Sequence, residues 1–235
     1  MRNKSYAVIV AGGKGERMGS AIPKQFLEIG GRPVLRWTME RFLSLGRDIE
    51  MIVVLPTAQK GWWKDYCRKS GFNVKHVLVS GGITRFHSVQ NALKYVEDGA
   101  VVAVHDGVRP VVSADFLNRM FDAAAQSPAV IPVMPAVESV REMAADGSGS
   151  SRSVDRSRLV TVQTPQVFHS EILKEAYSNA YSPLFTDDAS VVEASGYAVT
   201  VCPGEKYNIK ITTPDDLRLA GDLLAWQSSL LAPEL

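Results

Sequence analysis

The first apolar run of the chain, Tyr6-Ala7-Val8-Ile9-Val10, continues directly into Ala11-Gly12-Gly13-Lys14-Gly15-Glu16-Arg17-Met18-Gly19. A short apolar run rich in β-branched residues predicts a buried strand. The segment after it contains four glycines within eight positions, and Lys14 and Arg17 add positive charge. Glycine lets backbone N–H groups approach an anion closely. The pattern therefore predicts a strand that opens into a loop suited to a nucleotide phosphate.

Two better-known phosphate-binding loops do not match this segment. The dinucleotide fingerprint Gly-x-Gly-x-x-Gly would start at Gly13 and fails at Met18. The P-loop requires a terminal Gly-Lys-Ser/Thr that this segment lacks. A Rossmann-like fold is therefore expected without either chemistry.

Strand-like and helix-like segments alternate along most of the remaining chain. The further expected strands are Met51–Leu55, Val74–Val79, Val101–His105, Ala129–Val133 and Ala198–Cys202. Helical spacing of apolar residues occurs in 89–96, 117–124, Ser170–Asn179 and Asp188–Ser195, and Thr213 is expected to cap a last helix that begins at Pro214. This alternation predicts an α/β fold with a mostly parallel sheet flanked by helices on both faces.

The alternation breaks between Val137 and Val162. This segment is polar, contains the turn-rich run Asp146-Gly147-Ser148-Gly149-Ser150-Ser151, and has short β-like flanks. Such flanks are too short to be stable as an isolated hairpin, so a projecting β-arm at about 137–162 needs a surface to pack on, for which a second subunit is the expected candidate. The alternative is a flexible insertion that packs on nothing. Without repeats or long linkers, residues 1–235 are expected to form a single domain.

The overall composition excludes several classes of protein. Hydrophobic residues make up 46% and charged residues 22% of the 235 residues, which excludes a disordered or fibrous chain. No apolar run approaches the roughly 20 residues that span a bilayer. The formal net charge of +1 indicates no general affinity for nucleic acid or membrane surfaces. With only Cys67 and Cys202 and no signal-peptide pattern, a reducing, cytoplasmic setting is expected.

Charged residues lie close to predicted strand ends. Lys24 follows Arg17 by seven residues, beyond the first strand, and Asp106 follows the strand Val101–His105. Ligands of open α/β sheets bind outside the carboxyl ends of the strands, so these side chains are expected at one site. Two converging cations suit a transferring phosphoryl group, because that step depends mainly on positioning and electrostatics. As isolated residues, the two cations would more commonly be ordinary solvated side chains, but their place beside a glycine-rich strand exit favours a ligand site.

Asp106 and the segment Gly81-Gly82-Ile83-Thr84-Arg85-Phe86-His87-Ser88 complete the candidates found from residue types. Asp106 offers a carboxylate to Mg²⁺ that bridges phosphates. The glycines would let a flat ring lie against the backbone and the Ser88 hydroxyl would read a base edge, although Gly-Gly before a helix is commonly only a turn. The four histidines show no zinc-site spacing, and His105 is expected to pack at a strand end.

Eight segments, in this order, resemble the 2-C-methyl-D-erythritol 4-phosphate cytidylyltransferase family. They are A-G-G-K-G-E-R-M-G at 11–19, P-K-Q-F-L at 23–27, G-G-I-T-R-F-H-S-V at 81–89, H-D-G-V-R-P at 105–110, V-D-R at 154–156, T-P-Q-V-F at 164–168, T-D-D-A-S at 186–190 and N-I-K-I-T at 208–212. The first two occur in many sugar-nucleotide transferases, whereas V-D-R, T-P-Q and N-I-K in series are specific. The resemblance runs from about Tyr6 to about Ala225 and implies a Rossmann-like nucleotidyltransferase fold.

The resemblance also implies a reaction and a role for each matching residue. A Mg²⁺-dependent enzyme would join the phosphate of methylerythritol phosphate to the α-phosphorus of CTP and release pyrophosphate, with the substrate phosphate oxygen as nucleophile. The implied catalytic residues are Arg17 and Lys24, which stabilise charge on the α-phosphate, and Arg156 and Lys210, which position the acceptor for in-line attack. CTP would be held by Ala11, Gly12, Gly13, Gly15, Gly82, Ser88 and Asp106, with Asp106 on the ribose or the metal. The acceptor would be bound by Asp106, Arg109, Ser139, Arg156, Thr164, Thr186 and Lys210.

The family dimerises through an arm of this kind, so the resemblance implies a homodimer in which Arg156 reaches the partner's active site. The chain departs from the family pattern at three places. Ser139 stands where a threonine is usual, Ile83 where an acidic residue is common, and Gly107-Val108 where a small Ala-Ala pair is common. Weaker positioning of the acceptor, with function retained, is expected from the first.

Two other functions compete with this interpretation. A polyol-phosphate cytidylyltransferase, such as one acting on ribitol 5-phosphate, would share the CTP loops and differ around the arm and Arg109. A non-catalytic nucleotide-binding protein would keep the fold. Such a binder does not need a charge-stabilising pair at the α-phosphate, so Arg17 and Lys24 favour an enzyme.

Overall fold

The fold was obtained as a computed structural model, which describes residues 4–13 and 22–231. The strands are β1 (Lys4–Val10), β2 (Glu28–Ile29), β3 (Arg32–Pro33), β4 (Ile49–Leu55), β5 (Val77–Ser80), β6 (Ala100–Asp106), β7 (Ala129–Pro135), β8 (Val140–Met143), β9 (Ser151–Val154), β10 (Val160–Val162), β11 (Gln166–His169) and β12 (Thr200–Pro203). The helices are α1 (Val34–Leu43), α2 (Lys60–Ser70), α3 (Arg85–Leu93), α4 (Ala114–Ala123), α5 (Ser170–Ser178), α6 (Asp188–Ala194) and α7 (Pro214–Leu231). Across these two ranges, no helix is long and apolar enough to cross a membrane.

The main sheet has eight strands and is mostly parallel, as predicted. Its order is β10-β7-β11-β6-β1-β4-β5, and β12 pairs with β7 as well. β1 lies between β4 and β6 and is parallel to both, which places the first apolar run of the sequence at the centre of the sheet. β10 and β11 run antiparallel to their neighbours.

Successive residues of β1 enter different cores, because side chains alternate between the two faces of a strand. Ala7 and Ile9 belong to a core built with α1, α2 and α4, whereas Tyr6 and Val8 belong to a core built with α3, α5 and α6. Helices therefore cover both faces of the sheet, which explains why its strands read as continuous apolar runs. A third cluster packs Ala220 and Leu224 of α7 against Val111, which follows β6.

Most strand boundaries shift by only a few residues from the prediction. The largest shift is at the third expected strand, which begins at Val77 and not at Val74. The cause lies in His76, whose Nδ1 is 2.8 Å from the Val74 carbonyl oxygen and whose Nε2 accepts a hydrogen bond of 3.0 Å from Trp63 Nε1 on α2. The last helix begins at Pro214, and the Thr213 hydroxyl accepts from the Asp216 N–H at 3.2 Å, as the expected cap does.

The arm is a two-stranded hairpin in which β8 and β9 pair only with each other. Its tip turns at Gly147 and Gly149, both with positive φ, so L side chains are disfavoured there. The hairpin proper spans Val140–Val154. This range is narrower than the expected 137–162, because β10 rejoins the main sheet, with Val160 opposite Pro135 of β7.

An irregular segment between β10 and β11 turns the chain towards β6. Val162 of β10 pairs with Val133 of β7, and Val167 of β11 pairs with Val130 of β7. The chain therefore uses five residue steps between these two positions where β7 uses three. The extra residues include the cis-linked Thr164-Pro165. The Thr164 hydroxyl consequently lies at the end of β6.

Candidate active site

A pocket of about 530 Å³ opens at the carboxyl ends of the central parallel strands. Three strand exits contribute to its wall: the residues after β1, the turn between β5 and α3, and the end of β6. The described lining residues are Val10, Ala11, Gly12, Gly13, Lys24, Gln25, Pro56, Thr57, Gly81, Gly82, Ile83, Thr84, Arg85, Ser88, Asp106, Val108 and Lys210. The sheet therefore gathers candidates that are far apart in sequence, as ligand sites of open α/β sheets do.

Asp106, the last residue of β6, is surrounded by positive charge. Its Oδ2 accepts hydrogen bonds from Arg109 Nε at 3.1 Å and from Lys210 Nζ at 3.0 Å, while Arg85 Nε lies 3.9 Å from Oδ1. Burial alone raises the pKa of Asp106, but the charges of Arg85, Lys210 and Arg109 outweigh it and hold this pKa well below its usual range. The carboxylate is therefore ionised at neutral pH.

Arg85 is fixed from the opposite side by a second carboxylate. Its two terminal nitrogens donate to Asp188 Oδ1 at 2.8 Å and Oδ2 at 2.6 Å, a bidentate arrangement. Asp188 is fully buried at the start of α6, and Tyr177 donates its hydroxyl to Oδ1 at 2.5 Å. Burial, followed by the negative charge of Asp188, raises the pKa of Tyr177 well above its usual value, so its hydroxyl stays protonated.

Lys24 reaches the same pocket from a short 3-10 helix, Lys24–Phe26. Its Nζ donates to the Ile211 carbonyl oxygen at 3.3 Å. Phe26 is buried and stacks on Trp62 of α2 with ring centroids 4.1 Å apart. The turn that carries Lys24 is therefore anchored to α2 by aromatic packing.

The turn between β5 and α3 is held by Ser88. Its Oγ donates to the Thr84 carbonyl oxygen at 2.9 Å and accepts from the Gly82 N–H at 3.0 Å. The Ser88 hydroxyl proton is thus engaged within the turn and is not directed at a base. A Cβ at position 82 would lie 2.4 Å from His87 Cβ, so only glycine fits there. Ile83 projects into solvent at the rim, with 95% of its surface exposed.

His105 is a packed residue, as the sequence predicted. It is fully buried, its ring meets Phe42 edge-on, and its Nδ1 lies 3.2 Å from Thr164 Oγ1. Burial lowers the pKa of His105 to about 4, so the imidazole is neutral at physiological pH. Its Nε2 faces the Arg109 carbonyl oxygen at 3.3 Å.

The other predicted site residues fall into three groups. Thr164 and Arg109 are buried beside Asp106, where Thr164 accepts from the Asp106 N–H at 3.1 Å and Arg109 also donates to the Asn208 carbonyl oxygen at 2.8 Å. The exposed Ser139, Arg156 and Thr186 lie outside the described pocket lining of the same chain. Gly15 and Arg17 lie outside the described residues.

Arg156 is held at the base of the arm. It follows β9 in a one-turn helix, Arg156–Arg158, and its guanidinium donates to the Val137 carbonyl oxygen. Asp155 caps this turn by accepting from the Ser157 N–H at 3.0 Å. The base of the arm thus has a defined conformation and presents an exposed arginine.

The side chains that the structure describes at this site do not fit a metal held by protein ligands alone. Within the described ranges, no three His, Cys, Asp or Glu side chains are placed to hold a metal ion. On the described pocket wall, Asp106 is the single carboxylate. Mg²⁺ that bridges substrate phosphates commonly uses one or two carboxylates, so Asp106 fits a Mg²⁺ ion bound mainly through phosphate oxygens.

Sequence reasoning assigned no role to Arg85 or Asp188. Arg85 lies in segment 81–89 and Asp188 in segment 186–190, both of which match the family pattern. Their pairing joins residues 103 positions apart and leaves no periodic signal. A charged residue inside a segment that is otherwise buried, such as Asp188 before Ala189 and Val191, is the one available hint, because buried charges need partners.

Comparisons with known proteins agree on one family. Residues 5–225 match the family model described as IspD: 2-C-methyl-D-erythritol 4-phosphate cytidylyltransferase. Curated relatives of that name from Bacteroides fragilis and Porphyromonas gingivalis are 51% and 52% identical, covering 93% and 95% of this chain and 98% and 99% of their own. Crystal structures of proteins with that name from Thermus thermophilus and Francisella tularensis superpose with TM-scores of 0.73 and 0.79, at 33% and 30% identity. These superpositions cover 95% and 94% of this chain and 99% of each structure.

Proposed function

Since the chain belongs to the 2-C-methyl-D-erythritol 4-phosphate cytidylyltransferase family, we propose that it transfers the cytidylyl group of CTP to 2-C-methyl-D-erythritol 4-phosphate. The products are 4-diphosphocytidyl-2-C-methyl-D-erythritol and pyrophosphate. The observation that carries the proposal is the convergence of Lys24, Asp106 and Lys210 with glycine backbone on one pocket. Fixed cations beside exposed backbone suit a triphosphate whose α-phosphorus is attacked.

CTP is held along the glycine-rich wall of the pocket. Ala11, Gly12 and Gly13 line it after β1 and form the phosphate-binding side. The same role is proposed for Gly15, which lies outside the described residues. Gly82 lets the nucleoside approach the backbone closely, and Ser88 acts by holding that turn in shape. Asp106 accepts from the ribose or binds the metal.

Charge on the α-phosphate is stabilised in the transition state by Lys24 together with Arg17. The attacking group is a phosphate oxygen of the acceptor, so no covalent enzyme intermediate forms. A Mg²⁺ ion bound with CTP would be held by the triphosphate and Asp106, and would supply further positive charge at the phosphates. Lys24 enters the pocket on a packed turn, so its charge is positioned before substrate binds.

The acceptor phosphate meets Lys210, whose ammonium reaches the pocket while 41% of its side chain remains exposed. Arg156 with Ser139 comes from the arm, and Thr186 comes from the loop before α6. Thr164 and Arg109 support the same region through Asp106. Because Arg156 and Ser139 are exposed and outside the described lining of their own pocket, we assign them to the site of a partner subunit, in a homodimer formed through the arm.

We further propose that the enzyme works in a reducing cytoplasm. Cys67 and Cys202 are both half-buried free thiols, and the reaction needs only small, soluble, phosphorylated substrates.

The test is pyrophosphate release from CTP by the purified full chain. Methylerythritol phosphate and ribitol 5-phosphate are compared as acceptors, and ATP, GTP and UTP each replace CTP. We expect turnover with CTP and methylerythritol phosphate, and loss of turnover when EDTA removes Mg²⁺. Preference for ribitol 5-phosphate would contradict the proposed acceptor, and no release with any pair would contradict an enzymatic function.

A further inference from the structure

The buried ion pair between Arg85 and Asp188 has a geometry that general stabilisation does not explain. Asp188 is fully buried, and it takes both terminal nitrogens of Arg85. Replacement of a buried ion pair by apolar residues is often neutral or stabilising, so such a pair is weak evidence for stability. Arg85 also lines the pocket, whereas Asp188 is absent from its described lining. The pair therefore connects the pocket wall to a group behind it.

Arg85 also lies beside Asp106 but makes no hydrogen bond to it. Arg85 Nε lies 3.9 Å from Asp106 Oδ1, which is too far for a hydrogen bond. Oδ2 of the same carboxylate accepts from Arg109 and Lys210. Within the described part of the chain, no hydrogen bond is made to Oδ1. Arg85 therefore acts on this oxygen by its charge and leaves its lone pairs open towards the pocket.

We propose that Asp188 is a positioning residue that holds Arg85 back from Asp106 and thereby keeps Asp106 Oδ1 available to the nucleotide. The proposal rests on the proposed function only in taking CTP as the ligand. The hydroxyl of Tyr177 reinforces the hold, because it donates to the Asp188 oxygen that also receives Arg85. Tyr177 is itself fixed by stacking on Phe86, with ring centroids 4.7 Å apart.

Without the negative charge of Asp188, Arg85 would turn to the other carboxylate beside it. A guanidinium that closes on Asp106 Oδ1 occupies the acceptor that the nucleotide needs. Removing Arg85 as well would free that oxygen again. The proposal therefore predicts that one substitution weakens CTP binding and that a second, in its partner, restores it.

The experiment measures CTP binding by calorimetric titration of the full chain, with Mg²⁺ and without acceptor, well below each variant's unfolding temperature. We expect Asp188→Asn to weaken CTP binding by about 10-fold or more, as loss of one hydrogen bond to a charged group does. The double variant Arg85→Met with Asp188→Asn should return to within roughly threefold of the unsubstituted protein, less than the value of one good hydrogen bond. Asp98→Asn is the control, because it removes one carboxylate charge at the surface, where Asp98 pairs with Lys174 at 2.6 Å, outside the described pocket lining.

Each outcome decides the proposal. Asp188→Asn with the CTP affinity of Asp98→Asn would overturn it, and so would a folded double variant that binds CTP as weakly as the single variant. If Asp188→Asn fails to fold, the double variant still decides, because it buries no unpaired charge. A tenfold loss in the folded double variant then contradicts the proposal. Failure of the unsubstituted chain to bind CTP would instead overturn the proposed function.

Discussion

At the scale of single residues, the described part of the pocket wall carries more positive than negative side chains. Among the described residues, Lys24, Arg85 and Lys210 line the pocket together with one carboxylate, Asp106. Arg109 and Lys210 donate to Asp106, and Asp188 holds Arg85 from behind the pocket wall. Asp106 and Asp188 are both buried and hold cations in place, so the positions of these positive charges are set before the ligand binds. A triphosphate therefore meets an environment that needs little reorganisation, which is the main electrostatic source of catalysis.

His105 makes stability depend on pH. Its pKa is lowered to about 4 in the fold, against about 6.5 in the unfolded chain, so the unfolded state binds a proton first as pH falls. The stability contributed by the neutral imidazole is present above pH 6.5 and is lost progressively towards pH 4. We expect roughly 2–3 kcal/mol of the loss in unfolding free energy over this interval to come from His105.

Urea unfolding at pH 7.0 and pH 4.5 checks this expectation in the unsubstituted protein and in His105→Gln. The variant is less stable at pH 7.0, but its unfolding free energy should fall less between the two pH values. Asp106 has little effect on this comparison, because the stability that its lowered pKa contributes is lost mainly below about pH 4, the usual aspartate pKa. An equally steep fall in the variant would show that His105 is not the titrating group.

At the scale of elements, the turn between β5 and α3 tolerates no side chain at its second glycine. In Gly82→Ala, the new Cβ would meet His87 Cβ at 2.4 Å and the His87 carbonyl carbon at 2.9 Å, so the turn must shift. Since the Gly82 N–H also donates to Ser88, the wall of the nucleotide pocket moves with it. We expect KM for CTP to rise about 10-fold or more, with a smaller fall in kcat, because misplacement of a binding wall is costly.

Steady-state kinetics with varied CTP measure this effect. Gly61→Ala on the exposed side of α2 is the control, since a Cβ there meets nothing within 4 Å. It should leave both constants unchanged and slightly favour the helix. Equal kinetics for the two variants would refute the steric argument.

Strands that are continuous apolar runs and the turn-rich arm could be predicted from the sequence, whereas the short strands β2, β3 and β10 could not. The sequence predicts β1, β4, β6 and β7 because strands of a parallel sheet that is covered on both faces are apolar throughout. β10 has three exposed residues, so no pattern distinguishes it from the polar arm before it. The late start of β5 depends on the contact between His76 and Trp63, which tertiary packing alone creates.

The candidate site follows the same division. Asp106 could be predicted because it ends a buried strand, β6, and Lys24 because it follows the glycine-rich segment after β1; ligands of open α/β sheets bind at these strand ends. The family resemblance supplied Lys210, Arg156, Thr164 and Thr186, which no local pattern marks. The Asp188–Arg85 pair was missed because it connects two helix starts through the interior. The spacing of residues along the chain does not predict such a contact.

At the scale of the whole molecule, the proposed homodimer, in which each arm carries Arg156 to the partner's site, predicts complementation between variants. Lys24→Ala removes a charge from the pocket of its own chain and should lower turnover about 100-fold or more. Arg156→Ala removes the arginine that an arm delivers to the partner. When the two inactive variants are mixed, half the dimers are mixed, and each of these has one site with both residues intact. Activity should recover to roughly a quarter of the unsubstituted level in a symmetric dimer.

The mixing experiment is read by pyrophosphate release after exchange of subunits, and sedimentation gives the oligomeric state. Replacing Val140–Val154 by a short glycine linker is the control, because it should yield a monomer of little activity that cannot complement either variant. Mixed variants that stay inactive although they form dimers, or a fully active monomer, would contradict sharing.

The arm enters and leaves the sheet at partnered positions, with Pro135 opposite Val160. For the sheet, everything between those two residues is one hairpin connection, whose shortest form is a tight two-residue turn. The pairing of the main sheet therefore does not fix the length of this connection. Longer, shorter or differently charged versions can be exchanged as a module without changing the register of β7 or the positions of the phosphate-binding residues. Because Ser139 and Arg156 lie inside this connection, a different arm would change the proposed subunit contact and the acceptor side of the proposed shared site together, while the CTP side stays in place.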